Sequence, residues 1–209
     1  SEAARLGFKA AFPRAQVFDS AASMLAEAPT KGDIVVVAAP PSAHASLARL
    51  GLMSGRAVLV EKPLAMNAAQ ARAMVKLARK LRLPLACCSG RLLGTPTTES
   101  AKALLKKGRL GKPFHMTWLH RQRRSRCGIE YQPQSRWFLK KAVAGGGILL
   151  DWGPYDFAVM NDVLKPTRVE VLSAWTSQLK RKGDPDFDVE TQASATLRMH
   201  TPYGVVNVS

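Results

Sequence analysis

Three short stretches hold residue types that can move protons. Glu61-Lys62-Pro63 directly follows the apolar run at residues 57–60. Open parallel sheets bind ligands at the C-terminal ends of their strands, so a lysine there can aim its ammonium into the crevice. From that place it can polarise a hydroxyl or carbonyl, or share a proton with a neighbour. The bland reading of the same tripeptide is a solvated Lys-Glu pair. Ala39-Pro40-Pro41-Ser42-Ala43-His44 ends the preceding apolar run at the same sheet edge. A proline-rich turn that opens a helix can seat a phosphate or a ribose; alternatively, His44 is a first-turn residue with a local hydrogen bond. The third stretch runs from Gly145-Gly146-Gly147 through Asp151 to Tyr155 and Asp156. Its glycines permit positive φ and close backbone approach. Asp151 and Tyr155, four apart, share a face if the segment is helical. An ammonium beside a phenol favours the ionised form, which makes a tyrosine usable as proton donor and acceptor. Equally, the segment reads as a glycine loop with a capping Asp and a buried Tyr.

The elements that must position these residues follow from periodicity. Ile34-Val35-Val36-Val37-Ala38 is a β-branched run expected to be a strand buried on both faces. Ser42 is placed to cap a helix over residues 43–53. A second strand covers 57–60, a helix capped by Asn67 covers 68–80, and a third strand covers 85–88. This β-α-β-α-β order with short loops predicts a parallel α/β unit. Upstream, Val17-Phe18 reads as a short strand and residues 20–28 as a helix. Past Gly90 the pattern changes. Thr98 or Ser100 opens a helix that ends near Gly108, and residues 114–119 are strand-like. A polar stretch spans 120–134, and a helix covers about 154–164. Residues 169–179, 191–199 and 205–208 alternate like half-exposed antiparallel strands. Two domains with a cleft between them are expected.

Composition excludes several classes. The chain has 209 residues, 46% hydrophobic and 22% charged, which rules out a disordered or collagen-like polymer. Its longest apolar run, residues 34–41, is too short to span a bilayer. Three cysteines (Cys87, Cys88, Cys127) give neither a disulfide framework nor metal-ligand spacing. They fit a reducing, cytoplasmic compartment. The net charge of +16 raises the question of nucleic acid. The excess, however, is spread over both halves, with clusters at Lys102, Lys106, Lys107, Arg109, Lys112 and at Arg121, Arg123, Arg124, Arg126. No zinc finger, RRM signature or aromatic-basic interleaving accompanies it. Specific nucleic-acid binding is therefore not expected.

Taken together, the strand ending in P-P-S-A-H, the later E-K-P and the distant G-G-G-x-x-x-D-x-G-x-Y resemble the Gfo/Idh/MocA oxidoreductase family. Gly108-Arg109-Leu110-Gly111-Lys112-Pro113 is similar to the family's entry into its second domain, and Asp188-Val189-Glu190-Thr191 to a family strand start. The resemblance implies an α/β fold, with a partial Rossmann parallel domain followed by an α+β domain bearing an open, mainly antiparallel sheet. Residues 1–90 would be the C-terminal part of a Rossmann dinucleotide-binding domain. Residues 91–209 would be a substrate and oligomerisation domain, truncated at its C-terminus. It also implies NAD or NADP as cofactor and hydride transfer to or from a hydroxyl or carbonyl carbon of a sugar-like or polyol substrate. Homo-oligomers would pair through the second-domain sheet. Lys62, Asp151 and Tyr155 match the catalytic positions, most members having His where Tyr155 stands. Pro40, His44, Glu61, Lys62, Pro63, Arg91 and Trp137 match cofactor-contacting positions, with Phe138 where relatives often place Arg. The family's G-x-G-x-x-G/A is absent, Gly7 and Gly32 forming no such motif. The chain therefore reads as a fragment that binds cofactor poorly by itself. The other reading is a non-catalytic dinucleotide-binding regulator of the same fold.

Overall fold

The computed structural model describes residues 2–121 and 133–209, giving only the backbone of 133 and 134. Cys127, Arg123, Arg124 and Arg126 lie outside the described residues. Helix α1 (Glu2–Ala11) buries none of its residues. Helix α2 (Ala21–Met24) is a single turn closed by a reciprocal capping box between Ser20 and Ser23. The longer helix expected over 20–28 stops there, with Leu25 as its C-cap. Val17 and Phe18 join neither sheet.

Strand β1 (Ile34–Val37), helix α3 (His44–Met53), β2 (Ala57–Val60), α4 (Ala68–Leu81) and β3 (Leu85–Cys87) form the parallel unit. The sheet order is β1-β2-β3, with Val37 opposite Val60 and Val60 opposite Cys87. β-Branched residues drive β1 and β2 because they pack well on a pleated surface. Val35, Val37, Val58 and Val60 cover Ala48 and Leu52 of α3 and Met74 and Ala78 of α4. Burial on both faces does not hold. Ile34 and Val36 are 63% and 58% exposed, because α3 and α4 both pack on the opposite face. Ser42 is not the cap of α3. It lies in a 3-10 turn, Pro41–Ala43, that leads into the helix, and no side chain caps either element. Asn67 does cap α4, accepting from the Gln70 N–H.

Helix α5 (Pro96–Lys106) starts earlier than periodicity indicates, since Thr95 caps it and Pro96 takes a first-turn position. There follow β4 (His115–Met116), α6 (Lys141–Ala144), α7 (Ile148–Asp151), α8 (Gly153–Leu164), β5 (Arg168–Ser177), β6 (Gln192–Thr201) and β7 (Gly204–Val208). The second sheet has the order β4-β7-β6-β5, antiparallel except for the β4–β7 pair. Its core places Val159, Met160, Val163 and Leu164 of α8, with Leu105 of α5, against Leu197, Met199, Val206 and Val208. β6 and β7 show buried positions at alternate residues. β5 does not, being an edge strand exposed along most of its length and bulged between Val171 and Ser173.

Candidate active site

Lys62 leaves the C-terminal end of β2. The Glu61 N–H still donates to Val37 O at 2.9 Å, and Glu61 Oε2 accepts from the Lys62 N–H at 3.1 Å. Lys62 Nζ then crosses to the second half of the chain. It donates to Asp151 Oδ1 at 2.6 Å and to Asp151 O at 2.8 Å. The two side chains are 16% and 8% exposed, so the pair is largely withdrawn from water. The same ammonium lies 5.2 Å from the centre of the Tyr155 ring. Asp151 closes α7 and Tyr155 lies in the first turn of α8, so their common face spans a junction between two helices.

The strap at 187–190 places this junction. Phe187 and Val189 are buried with Leu139, while the alternate residues reach the helices. Asp188 Oδ1 accepts from the Lys141 N–H at 2.6 Å. Ile148 N donates to Glu190 O at 3.1 Å, and Leu149 N to Glu190 Oε1 at 3.2 Å. Gly145 ends α6 at φ 84°. Gly147 lies so close to the strap that any Cβ there would overlap the Glu190 carbonyl. The similarity of Asp188–Thr191 to a strand start is thus displaced: the strand begins at Gln192, and the residues before it are the clamp.

The other expected site residues divide into two groups. Pro40 and Arg91 are exposed and Glu61 is half-buried, all near the strand ends. The Arg91 guanidinium stands 5.4 Å from the Trp152 ring and 5.9 Å from the Tyr155 ring, on the phenol's side of the site. Burial pushes the Cys87 and Cys88 thiols at the end of β3 up from the usual range. His44 and Pro63 form the second group. Both are buried, because the His44 ring lies behind the two strand-end turns with its nitrogens on carbonyl oxygens, one of them Pro63 O. Trp137 stacks on Phe138 at 3.8 Å, and it is Phe138 that lines the small cavity with Pro41, Lys62 and Asp151. Three residues near the phenol escaped the sequence reading. Trp152 packs edge-on to Tyr155 at 5.9 Å, His120 packs edge-on to Trp152 at 4.7 Å, and His120 Nδ1 stands 3.4 Å from Asp156 Oδ1. Trp152 and Asp156 lie inside the glycine-rich motif itself. His120 sits in a polar stretch without periodicity.

The donor set fits the nicotinamide end of a dinucleotide. Pro40, Glu61 and Lys62 line adjacent ends of a parallel sheet, where such ligands sit, and an ammonium there is one bond from a carboxylate that fixes it. No residue of this chain is assigned to the pyrophosphate, since the glycine fingerprint is not in it.

Residues 1–87 match the oxidoreductase family with an NAD-binding Rossmann fold, and residues 98–209 match the GFO/IDH/MocA C-terminal domain. The chain belongs to the Gfo/Idh/MocA family of oxidoreductases. It is 32% identical over 143 residues to trans-1,2-dihydrobenzene-1,2-diol dehydrogenase of Xenopus tropicalis, an alignment covering 68% of this chain and 40% of that enzyme. It is 28% identical over 142 residues to 1,5-anhydro-D-fructose reductase of Ensifer adhaerens, again covering 68% and 40%. Among solved structures, GenD2 from gentamicin A biosynthesis in complex with NAD superposes with a TM-score of 0.73 at 26% identity, covering 100% of this chain and 56% of GenD2. The chain thus spans about 40% of the length of these curated relatives.

Proposed function

We propose that the whole protein is an NAD(P)-dependent oxidoreductase that transfers hydride between nicotinamide and a hydroxyl-bearing or carbonyl carbon of a sugar, polyol or related compound. The observation that carries this reading is the convergence of Lys62, Asp151 and Tyr155 at the C-terminal end of a parallel strand. The relatives named above, a diol dehydrogenase and a sugar reductase, support the substrate class. When bound, the nicotinamide supplies the hydride acceptor or donor.

The residues of this chain handle the proton and the pose. Tyr155 takes the hydroxyl proton in oxidation and returns it in reduction. Lys62 sets a fixed positive charge beside the phenol, and its bonds to Asp151 hold that charge in place. Asp151 orients the substrate as well as the ammonium. Pro40, Glu61 and Lys62 hold the nicotinamide end, and Arg91 offers a cation at the cleft mouth. Trp152, His120 and Phe138 wall the site with ring faces and edges. Homo-oligomers form through the second sheet, whose face away from the helices carries Trp175 at 56% exposure and Val205 at 49%. No described helix is long and apolar enough to cross a membrane, and the working compartment proposed is the cytoplasm.

The test is the whole protein with NAD or NADP and a panel of sugars, polyols and diols, followed through nicotinamide absorbance. Turnover with at least one hydroxyl compound is expected. Tight dinucleotide binding without turnover across the panel would favour the regulator instead.

A further inference from the structure

His44 has no solvent-exposed surface, and the proton and hydride chemistry does not touch it. Its ring sits between two carbonyls, with Nδ1 2.7 Å from Pro63 O and Nε2 2.8 Å from Ala39 O. Carbonyls only accept. Whichever ring nitrogen carries hydrogen therefore makes its bond, and the imidazolium makes both.

These two carbonyls belong to the turns that leave adjacent parallel strands. The ladder between β1 and β2 reaches as far as the bond from Glu61 N to Val37 O, at 2.9 Å. Beyond it the chains diverge, one into the Pro41–Ala43 turn and the other through Lys62 into Pro63. His44 takes over where the ladder stops, and an N–H on Nδ1 bonded to Pro63 O ties the turn after Lys62 to the start of α3. What it ties is the wall of the site. Pro63 is the residue after Lys62, and Pro41 lines one small cavity with Lys62, Gly146 and Asp151. The Pro41–Ala43 turn also packs against α6, just before the glycine loop.

We propose that His44 is a positioning residue for Lys62. By its bond to Pro63 O it holds the lysine backbone at the height from which Nζ reaches Asp151. The geometric part stands by itself, and only its catalytic consequence rests on the oxidoreductase reading above.

The test reads Lys62 directly. Amine labelling of the whole folded protein under native conditions, resolved by peptide mass spectrometry, gives a rate for each lysine. Exposed Lys76 and Lys80 on α4 serve as internal references, and Asp151→Asn is the benchmark for a lysine released from its partner. His44→Phe keeps a ring without donors, and His44→Gln keeps one amide donor. The Lys62 rate should rise about fivefold in His44→Phe, the size expected for one lost net hydrogen bond, and less in His44→Gln. The reference lysines should stay within about twofold of wild type. In turnover assays kcat should fall about tenfold, with partial recovery in His44→Gln. A raised Lys62 rate in a protein without turnover would overturn the oxidoreductase reading and leave the positioning role standing. A wild-type Lys62 rate in folded His44→Phe would overturn the positioning role. So would an Asp151→Asn benchmark that does not move, or failure of both His44 variants to fold, which would make His44 purely structural.

Discussion

Lys62 Nζ and Asp151 Oδ1 are 2.6 Å apart although 89 residues separate them in the chain. That bond joins the end of a parallel strand to a helix beside the second sheet, so the site exists only when both halves are packed together. Asp151→Asn and Lys62→Met should each lower turnover by about a hundredfold or more, the usual range for a lost acid-base group. Lys62 is still 16% exposed and can turn to water. The stability cost of Asp151→Asn should therefore stay at about 1–2 kcal/mol, whereas Lys62→Met takes the ammonium from the more deeply buried carboxylate and should cost more, towards the ~3–5 kcal/mol of breaking a buried pair. Steady-state kinetics and urea unfolding on the same preparations check both.

A glycine contact makes the second prediction. Gly147 abuts the Glu190 carbonyl with no room for a methyl group. Gly147→Ala must push the strap away from α7 and with it the two Glu190 acceptors of the main-chain donors Ile148 N and Leu149 N. A loss of about 2–3 kcal/mol is expected, the scale of overpacking a tight contact. The denaturation midpoint measures it, and a midpoint equal to wild type would mean the strap is not the clamp described here.

Acid should weaken the second sheet at a definable place. His200 Nε2 lies 2.7 Å from Glu170 Oε1 across the β5–β6 pair. This hydrogen bond, helped by the nearby Arg168 and Arg198, holds the Glu170 carboxyl below the ordinary carboxylate range. A depressed folded value means the stabilisation is fully present above the unfolded pKa of about 4.3. It is lost as pH falls through the lower folded value. Glu170→Gln should flatten that part of the stability profile below about pH 4.5, read from denaturant midpoints at several pH values. An unchanged acid limb would show that the pair contributes nothing there.

The proposed association through the second sheet predicts a change in mass. Trp175 stands on the face turned away from the helices, opposite Ser194 of β6. Trp175→Asp places a charge on that face and should convert oligomers of the whole protein to monomers in sedimentation velocity. Retained oligomers would move the interface elsewhere.

Much of this arrangement is legible in the residue order, and the exceptions have physical causes. β-Branched residues and clear stops mark β1 and β2, a short apolar run marks β3, and Asn67 marks the start of α4. E-K-P and the glycine motif give Lys62, Asp151 and Tyr155 by type and place. Which side a buried histidine faces is not local information. His44 and Pro63 look like ligand contacts at a strand end, and closure of the fold buries both, with the ring of one on the carbonyl of the other. Trp137 carries the family pattern, but its stacking partner Phe138 is the ring that reaches the site. His120 is brought to Trp152 by folding over 32 positions without any spacing that announces it. The strap at 187–190 alternates like a strand because it is buried on one side. Its polar residues cap helices rather than pair with a neighbour.

The central claim is that Tyr155, set beside Lys62, moves the proton during hydride transfer. Tyr155→Phe in the whole protein removes only the phenolic oxygen. The expected result is a kcat lower by about a hundredfold or more, with the Kd for NAD or NADP within about twofold of wild type. Turnover equal to wild type would contradict it.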